Sequence, residues 1–459
     1  MAEKPLNPGL SPSTHEHLVQ AQQWQQQGAW LEAAAAYAAV AERLPADHRF
    51  LANQGNALWL ADLPEAAHRC YSRALDLRPD CPISQRGLAS CLRDLNQFDA
   101  ALQVHRHLAQ QLPLATAEGQ ANLWAHSQLL MGMEHFEEAY RLMAARRNLR
   151  LQPHSQPGNS PLLGGELTLV SEQGLGDTLQ FVRFVPELLR QRQAAGLGGD
   201  DDGVAGVKLW VEPPLVKLLS EGLAWLNAPP TIQTKTPSVS VPSNALSLLN
   251  LPHALTMHQA WPPALSTTSP QMAYLRSALW SSQPRWLAQR HPPASGPAVG
   301  LVWAAGRKLD DPFCAREYHK RSLPARLLWQ LVAGLQQQGA CVYNLQFGPD
   351  QAQVQALGLD LHSPGLSLQG LAAAARVVAQ LDLVITVDTA MAHLVGAMGR
   401  PGWVLLPWSA DPRWLADTPA TPWYPTLRLF RQPRGGDWQG AVDQLLAAFK
   451  ADFHSYGCQ

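Results

Sequence analysis

Pro45, Pro79 and Pro113 fall 34 residues apart, and the residues between them align. A fixed period of this length constrains a chain more than its composition does. Each unit is one helix pair that cannot bury its apolar face alone, so neighbours must stack to make a core. The packing positions of the first unit are Ala21, Trp24, Gly28, Ala33, Tyr37 and Pro45. Those of the second are Gly55, Leu58, Asp62, Ala67, Tyr71, Ala74 and Pro79, and those of the third Ala89, Leu92, Asn96, Ala101, His105, Leu108 and Pro113. Small residues at the eighth and twentieth positions let antiparallel helices approach, larger ones fill the space between pairs, and the proline ends each second helix. A fourth unit, from about Ala121 to Arg147, keeps the corner Phe136-Glu137-Glu138-Ala139 but slips by four residues, as a terminal cap does.

This pattern resembles the tetratricopeptide repeat, here over residues 15–150. Such a stack implies a groove and a protein partner docked in it. The plainer alternative is that the repeats prop up, or dimerise, whatever follows. Between residues 15 and 150 there are 12 Arg and no Lys against 14 acidic residues, so charge does not name a partner.

With 459 residues, 46% of them hydrophobic and 15% charged, the chain is long enough for two or three globular domains. Its formal net charge of −1 excludes a globally basic nucleic-acid binder and an acidic solvating tail. Six cysteines without a CxxC pair or metal-ligand spacing fit a reduced chain with incidental thiols. Met1 to Leu10 has no apolar core of a secretory signal, and no apolar run approaches the ~18 residues a membrane span needs. These features predict a soluble, cytoplasmic protein.

Residues 151–165, rich in Pro and Gly, read as a linker. Beyond it short apolar runs alternate with helical patterns. Strands are expected at Leu167 to Val170, Lys208 to Glu212, Val299 to Trp303, Cys341 to Leu345, Leu381 to Val387 and Trp403 to Leu406. Helices are expected from about Asp177, at Pro213 to Leu223, Pro324 to Gln338, Leu371 to Ala379 and Thr389 to Met398, with an amphipathic one at Trp438 to Phe449. Residues 227–297 are poorly periodic. Alternation with short connections predicts two doubly wound parallel sheets, Rossmann-like domains at 166–290 and 298–450.

In such sheets ligands bind outside the carboxyl ends of the strands, where helix N-termini also point. Three loops meet that description. In Glu172-Gln173-Gly174-Leu175-Gly176-Asp177-Thr178, Gly174 and Gly176 let backbone approach a ligand, with Asp177 at the mouth of the cleft. Alternatively, Asp177 and Gln180 form a capping-box-like helix start. His319-Lys320-Arg321-Ser322 places cations before a helix beginning near Pro324, an anion site unless it is a solvated basic turn. In Asp388-Thr389-Ala390-Met391-Ala392-His393, the Thr389 hydroxyl, the first amides and His393 could hold a diphosphate, and Asp388 a sugar hydroxyl or the His ring. The alternative is that Asp388 and Thr389 cap the helix and His393 is packed.

The run from Ser171 to Phe181, Gly300-Leu301-Val302-Trp303-Ala304, the run from Leu381 to Leu394, and Trp423 to Gln432 together resemble glycosyltransferase family 9, the heptosyltransferase-like group, and in particular its bacterial branch fused behind tetratricopeptide repeats. The resemblance covers residues 165 to 450. It implies a GT-B fold, a nucleotide-sugar donor held mainly by the second sheet domain, and inverting transfer without a metal or other cofactor. The family's catalytic aspartate matches Asp177, as general base on an acceptor hydroxyl. Its diphosphate-binding cation falls at Lys320 or Arg321, with the choice open. Its Asp-Thr-Gly…His donor loop matches Asp388, Thr389 and His393, with Ala390 in place of the glycine. Gly348-Pro349-Asp350 lies where relatives carry an acidic donor contact.

Cations with helix-terminal amides can stabilise a departing diphosphate without a metal, which agrees with that assignment. Asp200-Asp201-Asp202 could mimic metal carboxylates, but Gly-rich flanks make it an exposed loop. The leading expectation is a glycosyltransferase acting on a protein or glycan acceptor. The alternatives are a repeat-based interaction scaffold with a degenerate transferase domain, which Ala390 favours, and a nucleotide-sugar epimerase.

Overall fold

A computed structural model describes residues 11–146, 162, 165–197, 206–236, 245–255, 273–280, 296–363, 370–416 and 418–453. The linker at 151–165, apart from Leu162 and Gly165, and the Asp200-Asp201-Asp202 loop lie outside the described residues. The chain divides into two units, residues 1–129 with 308–320, and residues 130–307 with 321–459.

The first unit is built from antiparallel helix pairs: α1 (Pro12–Gln26) with α2 (Trp30–Arg43), α3 (His48–Leu60) with α4 (Pro64–Leu77), and α5 (Pro82–Asp94) with α6 (Phe98–Gln111). Most of α7 (Ala117–Gly132) follows. The 34-residue period appears directly in the packing. Ala33, Ala67 and Ala101 are fully buried, as are Val40, Ala74 and Leu108 one period apart. Gly28, Asp62 and Asn96 share the left-handed conformation that turns each pair, with φ of 72°, 60° and 58°. Gly, Asp and Asn tolerate it best. In the fourth pair that role passes to Glu134 (φ 63°), four residues late, as the slip in the sequence predicts.

The second unit opens with α8 (Phe136–Ala145). Phe136 meets Trp423 edge-on at 5.4 Å, and Tyr140 meets Phe181 at 6.1 Å. The second helix of the cap thus packs on the α/β part. There, β1 (Leu167–Val170), α9 (Leu175–Phe181), α10 (Val185–Ala194), β2 (Val207–Val211), α11 (Pro213–Gly222), β3 (Thr231–Thr234), β4 (Ala245–Ser247) and α12 (Leu251–Ala254) form one layer set. Its strand order is β3-β2-β1-β4, all parallel.

The second set comprises β5 (Ala298–Val302) and, beyond α13 (Pro312–Arg321), whose residues up to Lys320 belong to the first unit, α14 (Ala325–Gln337), β6 (Cys341–Asn344), α15 (Ala352–Ala356), α16 (Leu371–Val378), β7 (Leu383–Val387), α17 (Ala390–Ala397), β8 (Gly402–Leu406), β9 (Leu427–Arg431) and α18 (Trp438–Phe453). Its order is β6-β5-β7-β8-β9, again all parallel. Every residue of β1, β5, β7 and β8 is buried, as strands covered on both faces require. Both orders reverse beside the first strand, β1 or β5, and a doubly wound sheet opens a crevice at that point.

One local expectation is corrected. His319, Lys320 and Arg321 do not lie in a turn but close α13, a helix capped where the Asp311 side chain accepts the Cys314 N–H at 2.8 Å. Ser322, Leu323 and Pro324 then lead into α14. Among the described residues no helix is long and apolar enough to cross a membrane.

Candidate active site at the strand carboxyl ends

Loops from both sheets of the second unit meet around one arginine. Asp177 lies in the first turn of α9, just after β1, and one of its carboxylate oxygens accepts the Gly174 N–H at 2.8 Å. The other accepts Nη2 of Arg413 at 2.8 Å. Arg413 comes from the loop after β8, where it also donates through Nε to Asp411 at 2.7 Å and through Nη1 to Gln180 at 3.2 Å. Burial works against a charge on Arg413, but Asp177 and Asp411 outweigh it and hold the guanidinium protonated well above its ordinary range. Burial likewise opposes ionisation of Asp411, and Arg413 reverses the balance, lowering its pKa.

The loop after β7 supplies Asp388 and Thr389. Thr389 caps α17, its hydroxyl accepting the Met391 N–H at 3.1 Å and meeting the Thr386 hydroxyl at 3.1 Å. Ala390 is the first residue of that helix, where the remaining free amides and the positive end of the dipole favour an anion. Asp388 is 4% exposed and accepts Nη1 of Arg321 at 3.4 Å. Lys320 instead pairs with Glu317 at 3.2 Å, within the first unit. Of the two cations left open by the sequence, Arg321 is therefore the one beside the β7 loop. The β5 loop is held by Gln346, whose side-chain oxygen accepts the Trp303 and Ala304 amides at 3.0 and 2.9 Å, while the Ser322 hydroxyl accepts the Ala305 amide at 3.0 Å.

His393 is walled in. Its Nδ1 lies 2.8 Å from the Tyr424 hydroxyl, and its ring lies 5.3 Å from that of Trp414. Burial, followed by the Arg413 charge, keeps the imidazole neutral far below its ordinary pKa. A Cβ on Gly176 would stand 2.6 Å from His393 Cδ2, so this glycine is needed for α9 and α17 to approach. Gly174 caps α9. Asp350 is buried and accepts Gln353 Nε2 at 3.3 Å. Among the described residues no three His, Cys, Asp or Glu side chains gather as a metal ion would require.

Sequence reasoning missed Arg413 and Asp411. Their signal was available: Asp411-Pro412-Arg413 follows the carboxyl end of β8, the same placement rule that selected Asp177 and Asp388.

Helix pairs repeating every 34 residues, followed by two parallel Rossmann-like sheets, define the architecture. No family model matches the chain. It is 25% identical over 402 residues to Protein FlbA of Caulobacter vibrioides, an alignment covering 83% of this chain and 63% of FlbA. The chain thus spans less than two thirds of that relative's length. Similar solved structures include the E. coli ADP-heptose LPS heptosyltransferase II, with TM-score 0.40 and 13% identity over 62% of this chain and 99% of that one. A mutant Thermobaculum terrenum O-GlcNAc transferase gives 0.32 and 12%, over 98% and 94%. MamA of Desulfovibrio magneticus gives 0.30 and 16%, over 41% and 92%. At these scores the likenesses carry no functional weight, which falls on the chain's own side chains.

Proposed function

We propose that the chain is an inverting, metal-independent glycosyltransferase that moves a hexosyl or heptosyl group from a nucleoside-diphosphate sugar to a protein or glycan acceptor, with the repeats recruiting the acceptor or a partner. The observation that carries this reading is the bridge made by Arg413. It ties Asp177 of the first sheet to the β8 loop of the second, within the same cluster as Asp388 and Arg321.

In this reading Asp177 takes the proton of the acceptor hydroxyl as the oxygen bonds to the anomeric carbon. The bond from that carbon to the diphosphate oxygen breaks, and the nucleoside diphosphate leaves with the electron pair. Arg413 holds the base in one orientation while the acceptor approaches. Arg321 and the first amides of α17 stabilise charge on the leaving diphosphate. Asp388 orients Arg321 and, in this reading, accepts a donor hydroxyl. Neutral His393 positions α17 against α9 rather than adding charge.

A panel of nucleoside-diphosphate hexoses and heptoses is the first to assay. Asp177→Asn should lower the release of nucleoside diphosphate by about 10²–10⁴-fold while leaving donor affinity unchanged. Turnover by the variant at the wild-type rate would overturn the assignment of the base.

A further inference from the structure

Residues 308–320 belong to the first unit, although the chain on either side of them builds the second. Their helix, α13, docks on the repeats through two side chains one turn apart, Phe313 and Arg316. The Phe313 ring stacks on Trp59 at the end of α3, with centroids 6.0 Å apart and planes 19° from parallel. The Arg316 guanidinium lies 4.3 Å from the centroid of the same indole. Its Nη2 donates to Asp94 and to Asp62, each at 2.7 Å. Trp59 Nε1 donates to Asp94 at 2.9 Å, which fixes the indole and the carboxylate together.

The Arg316 side chain is 1% exposed and that of Asp94 2%. Burial opposes the charge on Asp94, yet Arg93, Lys320 and Arg316 outweigh it and hold the carboxyl far below its ordinary pKa. Arg93 of the repeats themselves pairs with Oδ1 of Asp94, through Nε at 3.0 Å and Nη2 at 2.8 Å, and leaves Oδ2 to Arg316 and the indole N–H. The repeats therefore carry a built receptor for a guanidinium with an aromatic ring beside it: one indole face, one buried carboxylate and one half-exposed one.

We propose that this surface, formed by Trp59, Asp62 and Asp94, is the partner-docking site of the repeats, and that it takes a helical protein segment presenting an aromatic residue and an arginine one turn later. In the free protein, Phe313 and Arg316 fill it in cis. The proposal rests on reading the repeats as a docking module and is independent of whether the second unit turns over. An incoming segment competes with a tethered one, whose effective concentration is about millimolar, so the free protein binds its partner weakly until α13 lifts away.

The test uses the full chain and a labelled synthetic peptide of residues 308–321, with binding read by fluorescence anisotropy. The peptide should bind Arg316→Ala protein at least tenfold more tightly than wild type. That gain should vanish in the Arg316→Ala/Asp94→Asn double variant and with a peptide carrying alanine at the arginine. Equal binding to all three proteins, or none to a folded Arg316→Ala protein, would overturn the proposal. Should that variant fail to fold, excess peptide added to wild type should speed hydrogen exchange at residues 312–320, and unchanged exchange would refute displacement. Neither readout involves the sugar donor, so a failed transferase reading would leave it standing.

Discussion

Gly176→Ala should destabilise the junction of α9 and α17, and that effect should disappear or reverse once His393 is removed. The added methyl would lie 2.6 Å from Cδ2 and 3.1 Å from Nε2 of His393, where ordinary heavy-atom contacts are about 3.5–4.0 Å. The ring must retreat by roughly 1 Å, but Trp414 and the Tyr424 hydroxyl hold it on its other sides. Overpacking of this kind costs about 1–3 kcal/mol. Alanine returns about 0.5–1 kcal/mol through helix propensity, leaving a net loss of about 0–2.5 kcal/mol, centred near 1.3. Native-state hydrogen exchange at the amides of the two helices reads this locally, even where the two units do not unfold as one. Exchange should quicken about tenfold in Gly176→Ala. Against a His393→Ala background the same substitution should slow exchange or leave it unchanged. Equal acceleration in both backgrounds would refute a steric cause.

Arg413→Ala should cost about 2–4 kcal/mol of stability, because it leaves Asp411 and Asp177 without their shared partner, and Arg413→Lys should recover only part of it; urea denaturation of the second unit checks both. Arg321→Ala should weaken donor binding about tenfold or more, while Lys320→Ala should leave it unchanged, as titration calorimetry would show. Acid should loosen the repeats through His105, whose pKa burial depresses to about 4. Between its ordinary value near 6.5 and that lower value the unfolded chain binds a proton that the folded chain does not. Stability contributed by this site is therefore complete above about pH 6.5 and falls by about 1.4 kcal/mol per pH unit on acidification towards 4. His105→Asn should flatten that slope in thermal melts of the first unit.

The helical period was legible because its determinants are local: a proline, a small buried residue and a left-handed turn recur at fixed spacing, and even the four-residue slip before Glu134 could be read. Strand ends carrying Asp177 and Asp388 were legible for a similar reason, since a buried apolar run followed by glycine or a capping residue marks the carboxyl end of a parallel strand. The place of Arg413 after a strand's carboxyl end was legible, but its pairing with Asp177, 236 residues away, was not, because no local pattern encodes it. The helix over Pro312–Arg321 was hidden by its polar composition. Its buried side chains are Tyr318 and Arg316, and the carboxylates of the repeats that hold Arg316 lie more than 200 residues away. His393 read equally well as a ligand or as a packed residue until the Tyr424 hydroxyl and the Gly176 approach became visible.

The most direct test of the transferase reading is calorimetric titration of a nucleoside-diphosphate-sugar panel into wild type, Asp388→Ala and Arg321→Ala protein, with and without chelator. Micromolar binding of one donor, lost or at least tenfold weaker in both variants and unchanged by chelator, is the expected result. Failure of every donor to bind folded wild-type protein, or binding indifferent to both substitutions, would contradict a donor site at the β7 loop.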